Sequence, residues 1–331
     1  MIKYESAVGP FAHNDNTSVR IMYTVVLTLL PAALFGVYQF GLNSLMVLTV
    51  GVGSAVLTEW VCLAAMKRRL LACMDGSAIL TGLLLAMSLP PTFPMWMTAF
   101  GSVFAVIVGK QIYGGLGQNL FNPAMLARVM LIVCFPVEMT SWADPAPIDF
   151  ANNLVSVPDA WFQFDGVTSA TSLSSERTQP IVLLDLLFGK QSGSLGETSA
   201  IFILLGGFYL LYRGIIHWAI PTSFMLGLAI PALISHAVDP EHYLPVLTHL
   251  FSGGAMLGAF YIATDLVTSP TSVKGQLVYG AGCGLLIWLI RSFGSYPEGV
   301  AFAVLIMNSA SPLIDHYLRP NIFGSRSAVE K

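Results

Sequence analysis

The run Asp165-Gly-Val-Thr168-Ser169-Ala170-Thr171 sets two threonine hydroxyls three residues apart behind a carboxylate, among side chains too small to shield them. On the residues alone, this is a small-residue turn with an acid upstream, a surface turn of the Ser/Thr type. A second constellation runs from Gly109 and Lys110 to Ala124. It has Gly114, Gly115 and Gly117 within four residues, then Asn119 and Asn122 three apart. Glycines let backbone approach a flat ligand closely, and a carboxamide offers a donor and an acceptor together. The same Asn122-Pro123 pair also reads as a helix N-cap followed by proline at the first helical position. A third set comprises ionisable residues within or at the ends of apolar runs: Glu59, Asp75, Asp265 and Arg128. Hard cations seek carboxylate and carbonyl oxygens. Glu59 therefore reads as part of an ion route or as an acid paired with Lys67-Arg68-Arg69 two turns on, and Asp265 and Asp75 read as further ion-route candidates. Arg128 requires an anionic partner.

The elements that must position these residues follow from composition. The chain has 331 residues, of which 55% are hydrophobic and only 33 are charged (15 Lys and Arg, 18 Asp and Glu). A soluble domain of this length would carry roughly 80 charges. Too little polar side chain is present to cover a water-exposed surface, which excludes a soluble globular enzyme, a nucleic-acid binder and a disordered chain. The net charge of −3 offers no attraction to a polyanion. Cys62, Cys73, Cys134 and Cys283 form no CxxC and no Cys/His cluster, so they read as small hydrophobes rather than metal or iron–sulfur ligands. No metal site is expected.

Ten apolar segments are expected, at about 21–40, 42–66, 76–89, 93–112, 121–138, 199–212, 217–236, 245–263, 276–291 and 298–318. A membrane-spanning helix needs about 20 apolar residues, and several of these are short or broken by Gly and Pro. Interrupted helices recur where irregular backbone lines a cavity in transport folds. The predicted fold is an all-α integral membrane protein with about ten transmembrane helices. A polar stretch over 140–198 divides them five and five, and an odd number per half reverses the second half, which implies a 5+5 inverted repeat. The expected divisions are an N-terminal segment (1–20), a first half (21–139), the polar loop (140–198), a second half (199–318) and a tail (319–331). Lys and Arg distribution sets the orientation. With the N-terminus in the cytoplasm, eleven of the fifteen fall on the cytoplasmic side, three on the far side, and Arg128 within a span. Both termini are then cytoplasmic and the 140–198 loop is periplasmic in a bacterial inner membrane.

The Asp165–Thr171 run resembles the flavinylation motif D-x-x-[ST]-x-A-T, in which the last threonine carries FMN through a phosphoester. Asp165 matches the acid, Thr168 the hydroxyl position and Ala170-Thr171 the acceptor end, while Ser169 stands where glycine is usual. Three further stretches fit together with it: Gly109–Ala124, the Asp75-Gly-Ser run with Leu89-Pro-Pro, and Ala263-Thr-Asp265 with Tyr296-Pro-Glu-Gly-Val. Over nearly the whole chain they resemble the NqrB/RnfD family. Its members are membrane subunits of Rnf-type ion-translocating ferredoxin:NAD oxidoreductases and of the sodium-translocating NADH:quinone reductase, and the Rnf type is the nearer likeness. The resemblance implies covalent FMN on Thr171, with Asp165, Thr168, Ser169 and Ala170 around it. It implies a second, non-covalent flavin (riboflavin) against Asn119 and Asn122, with Lys110 and Arg128 as further cofactor contacts. It also implies a flavin transferase for maturation. The partners would be the other subunits of a redox-driven Na⁺ or H⁺ translocase, including a second flavinylated subunit and iron–sulfur subunits. A channel or solute transporter without redox role is the alternative that the segment pattern fits equally.

Overall fold

A computed structural model describes residues 17–142, 145, 183–189, 192–196, 200–240, 242–294 and 298–319. The described residues are helical throughout, with no strand among them. In the first half, α1 (Ser18–Phe40) and α2 (Leu42–Ala65) are separated by Gly41 alone, whose φ of 80° turns the chain at once. A 3₁₀ turn (Leu70–Asp75) leads into α3 (Ser77–Met87). Then α4 (Met95–Val106) runs directly into a π-helical turn (Ile107–Gln111). The glycine-rich loop follows, and α5 (Pro123–Cys134) and the short α6 (Pro136–Met139) close this half.

After α7 (Leu183–Phe188), the second half comprises α8 (Ala200–Tyr212), α9 (Ala219–Val238), α10 (Val246–Phe251) and α11 (Ala255–Leu257). A second π-helical turn (Gly258–Ile262) continues α11, and α12 (Val273–Phe293) and α13 (Val300–Tyr317) complete the described chain. Each expected apolar segment thus contains a helix. Four of these helices, α1, α2, α9 and α12, are long and apolar enough to cross a membrane, and the rest are shorter or broken. With side chains such as Leu27, Leu34, Leu57, Leu205 and Leu233 facing outward, the chain is a multi-pass membrane protein.

Local chemistry fixes the helix starts. Thr17 accepts from the Arg20 amide at the head of α1, and Ser272 accepts from the Gly275 amide at the head of α12. Asn122 Oδ1 accepts from the Ala124 and Met125 amides, with Pro123 at the first helical position of α5. At α3, Asp75 Oδ1 accepts from the Ser77 amide at 2.8 Å.

Apolar helices in lipid associate by close packing rather than by expulsion from water, which favours small residues at contacts. The most extensive helix pair, α9 against α12, uses Gly227, Gly280 and Gly284. A Cβ on Gly284 would lie 2.2 Å from the Phe224 carbonyl oxygen, and one on Gly227 would lie 2.4 Å from that of Ala281. In the first half α2 packs on α3 and α4, and α3 is buried over almost its whole length. The halves meet where α1 packs on α8 and α5 packs on α13.

Candidate functional site

Both π-helical turns close with an i to i+5 bond: Ile112 N–H to Ile107 O at 3.0 Å, and Ala263 N–H to Gly258 O at 2.8 Å. Such turns are rare and gather at functional sites. Each is wedged by a glycine against a neighbouring element. A Cβ on Gly109 would meet Pro123 Cα at 2.9 Å, and one on Gly258 would meet the Val300 side chain at 2.8 Å. The two turns face the same cavity between the halves. Its walls come from α1, α3, the end of α8, both π-helical turns and the loops that follow them. They are mainly apolar (Leu80, Leu84, Phe260, Tyr261), with a few polar groups: Ser77, Lys110, Asn119, Asn122, Thr264 and Asp265. A mainly apolar concave site with a small set of polar groups is the usual form of a cofactor pocket.

One wall carries a buried polar chain. Glu59, only 3% exposed, accepts at Oε1 from Lys110 Nζ at 2.5 Å and from Gln111 Nε2 at 2.9 Å. Lys110 Nζ also donates to Ser77 Oγ at 2.5 Å, and Ser77 Oγ donates to Asp75 Oδ1 at 2.5 Å. The first π-helical turn creates this arrangement by aiming consecutive residues, Lys110 and Gln111, at one carboxylate on α2. The partner of Glu59 is therefore Lys110 and not the Lys67–Arg69 cluster. Arg68 instead donates to the Gly114 carbonyl at 2.6 Å and fastens the glycine-rich loop. In that loop Gly114, Gly115 and Gly117 all have positive φ (117°, 107° and 89°), a conformation that side-chain-bearing residues rarely adopt.

On the opposite wall, Asp265 opens the loop after the second π-helical turn. Its carboxylate accepts from the Val267 amide (3.3 Å) and the Thr268 hydroxyl (3.2 Å). The two carboxylates singled out in the sequence thus serve one cavity, Asp265 directly and Glu59 through Lys110.

Asn119 and Asn122 both line the cavity. Asn122 is committed to structure: besides capping α5, its Nδ2 donates to Ile262 O at 3.4 Å, which ties the two halves together. Asn119 Nδ2 donates to Phe121 O at 3.1 Å, which leaves its carbonyl oxygen as the acceptor it can offer a guest. Arg128 does not line the cavity. It is buried on α5 and pairs with Glu298 just before α13. Asp165, Thr168, Ser169, Ala170 and Thr171 lie outside the described residues.

Sequence reasoning missed three contributors. Tyr261 forms the aromatic wall and donates to Thr28 O at 3.4 Å. Glu298 neutralises Arg128, and Gln111 anchors Glu59. A polar residue beside Lys110 inside an apolar run was the available signal for Gln111, and Tyr261 offered none. Arg291, at the far end of α12, donates to the carbonyls of His249 (2.6 Å) and Ser252 (3.0 Å), which end α10. A guanidinium there satisfies carbonyls that the helix break exposes.

Comparison with known proteins gives a consistent result. The model of the NQR2, RnfD, RnfE family matches residues 5–324. The RnfD protein of the ion-translocating oxidoreductase complex of Yersinia enterocolitica is 43% identical over 342 residues, covering 96% of this chain and 97% of that protein. Its counterpart in Halorhodospira halophila is 40% identical over 97% of this chain and 95% of its own length. That of Stutzerimonas stutzeri is 44% identical over 92% of each.

Proposed function

This chain belongs to the NQR2, RnfD, RnfE family, and on that premise we propose that it is the membrane-embedded flavin subunit of an Rnf-type ion-translocating oxidoreductase complex. It sits in a bacterial inner membrane with both termini cytoplasmic. It carries FMN on Thr171 in a periplasmic loop, activated for transfer by Asp165 and the small residues Ser169 and Ala170 around Thr168. It passes electrons to a second flavin in the cavity between the π-helical turns, in step with Na⁺ or H⁺ movement. The observation that carries the reading is this cavity, mainly apolar with a few polar groups and joined through Lys110 to a buried carboxylate on α2.

The residues fit such a guest. Leu84 and Phe260 offer apolar surface for the faces of a flat ring system, and the Asn119 carbonyl and Lys110 ammonium offer an acceptor and a donor for its polar edge. A flavin supplies one- and two-electron chemistry when bound. The protein's part is to hold it dry between the halves. Asn122 and the two π-helical turns fix the cavity walls, and Lys110, Glu59 and Asp265 set the charge around it.

Two halves of inverted orientation account for the matched arrangement. The same sequence offset separates Pro94 from Pro245, which begin α4 and α10, and Ile107 from Gly258, which begin the π-helical turns. The partners would be the flavin- and iron–sulfur-bearing subunits of the complex, with a flavin transferase acting on Thr171.

The decisive test is the flavin on this chain. The denatured protein should fluoresce under ultraviolet light on a gel and gain the mass of a phosphoester-linked FMN. Thr171→Ala should abolish both while the protein still assembles. A fluorescent Thr171→Ala band would refute the attachment site, and a non-fluorescent wild-type band would refute the flavin reading of the loop.

A further inference from the structure

Lys110 stands at the junction of two environments: it lines the cavity, and its ammonium is bonded to Glu59. We propose that Lys110 is a switch shared between the cavity and Glu59. Negative charge arriving in the cavity draws the ammonium away from Glu59, and the freed carboxylate takes up one cation in its place. This rests on reading the cavity as a redox-cofactor site.

Four features of the geometry support it. An ammonium has three donors; Glu59 and Ser77 engage two, which leaves a third for a guest at the cavity wall. The lysine stem is flexible and its charge compact, so a small swing re-aims the ammonium without moving backbone. Glu59 Oε2 is buried and has no hydrogen-bond partner among the described residues, so the carboxylate already holds an open acceptor position. Gln111 Nε2 holds the other oxygen in place while Lys110 moves.

The remaining groups around Glu59 cannot replace the lysine. Asp75 repels a carboxylate, and Cys62 and Cys73 carry no positive charge. Without Lys110, therefore, Glu59 would be a buried uncompensated charge, and a cation is what relieves it. Ser77 and Asp75 extend hydrogen bonds from Lys110 toward the partly exposed end of the 3₁₀ turn, a polar path by which that cation would come.

No covalent bond forms or breaks. An electron from a reduced flavin or iron–sulfur carrier of the neighbouring subunits adds one negative charge to the cavity, and one cation bound at Glu59 balances it.

Dicyclohexylcarbodiimide, a lipid-soluble reagent for protonated carboxyl groups, tests the switch in the intact complex in sodium-free membranes. Labelling of the Glu59 peptide is read by mass spectrometry, with Glu59→Gln as the blank. In the oxidised wild type the ion pair should protect Glu59. Reduction by dithionite should raise its labelling by about tenfold, the change in protonated fraction that loss of one close opposite charge gives. Lys110→Met should be labelled to the high level in both redox states, and Lys110→Arg should keep the redox dependence. Should Lys110→Met fail to assemble, the oxidised-to-reduced comparison in wild type and Lys110→Arg decides. Equal labelling in both redox states of the wild type, with the absorbance of an acid-extractable flavin bleached by dithionite, would overturn the switch and leave the cofactor reading standing. Absence of any acid-extractable flavin would overturn the cofactor reading and the switch with it.

Discussion

Arg128 and Glu298 offer the sharpest test of how the two halves are joined. Their side chains are 6% and 7% exposed, they face each other from α5 and the approach to α13, and Arg128 meets Glu298 at Oε2 while Oε1 has no hydrogen-bond partner among the described residues. At a 4 Å separation and an effective dielectric near 20, two unit charges attract by about 4 kcal/mol. Desolvation of both ions offsets most of this, so the pair as a whole adds little over well-packed apolar side chains. Removing one partner is different, because the other charge stays buried and uncompensated. That costs about 3–5 kcal/mol, more than a hundredfold in the folding equilibrium. Arg128→Met and Glu298→Met should therefore each destabilise by that amount. The double variant should recover most of the loss and cost less than either single change, so the coupling energy between the sites should exceed about 3 kcal/mol. The assay is the folded fraction of the solubilised complex across a denaturant titration, followed by size-exclusion fluorescence. Two single losses that simply add in the double variant would refute the argument, since independent sites add and an ion pair does not.

Three further outcomes are expected. Gly284→Leu should separate α9 from α12, since even its Cβ would fall 2.2 Å from the Phe224 carbonyl oxygen; a loss above about 3 kcal/mol in the same titration is expected, and wild-type stability would refute the close contact. A cysteine at Ser192 should react with an impermeant thiol reagent in intact spheroplasts and one at Ser325 should not, and the reverse would invert the proposed orientation. Glu59→Gln and Asp265→Asn keep size and hydrogen bonding while removing charge, so flavin content should persist while ion-coupled electron transfer slows. Wild-type turnover and pumping in both would leave these acids structural.

The helices were legible because a lipid environment demands long apolar runs, and no other feature of the chain supplies them. The caps were legible for the same local reason: Asn122-Pro123 announces a helix start wherever it occurs. Breaks within runs were harder to see. The expected segment 245–263 is interrupted at Ser252-Gly253-Gly254, and 121–138 divides at Phe135-Pro136 into α5 and α6. The π-helical turns left no mark in composition, because an i to i+5 bond needs no residue that an i to i+4 bond forbids. Those turns choose the neighbours of Lys110. Periodicity links Glu59 to residues one or two turns away and says nothing of a lysine 51 positions on, just as it says nothing of the 170 positions between Arg128 and Glu298. The acids were therefore identifiable as candidates, but their partners were not.

The proposed relation between the halves explains why the cavity has unlike walls. Lys110 and Tyr261 occupy corresponding places near the ends of the two π-helical turns, one charged and one aromatic. Lys110 turns to Glu59 on α2, and Tyr261 turns to the backbone of α1 at Thr28. A matched scaffold thus delivers a mobile positive charge to one side of the cavity and a fixed apolar surface to the other. Such asymmetry suits a site that must respond to the charge of its guest. The aromatic side grips the guest whatever its charge, and only the lysine side distinguishes one charge state from another. By this argument Tyr261→Phe, which keeps the ring and loses one long hydrogen bond worth about 1 kcal/mol, should leave the redox dependence of Glu59 labelling intact. Lys110→Met should erase it without weakening the aromatic wall. If Tyr261→Phe erased it too, the two walls would have to act together, and the division of labour argued from their chemistry would fail.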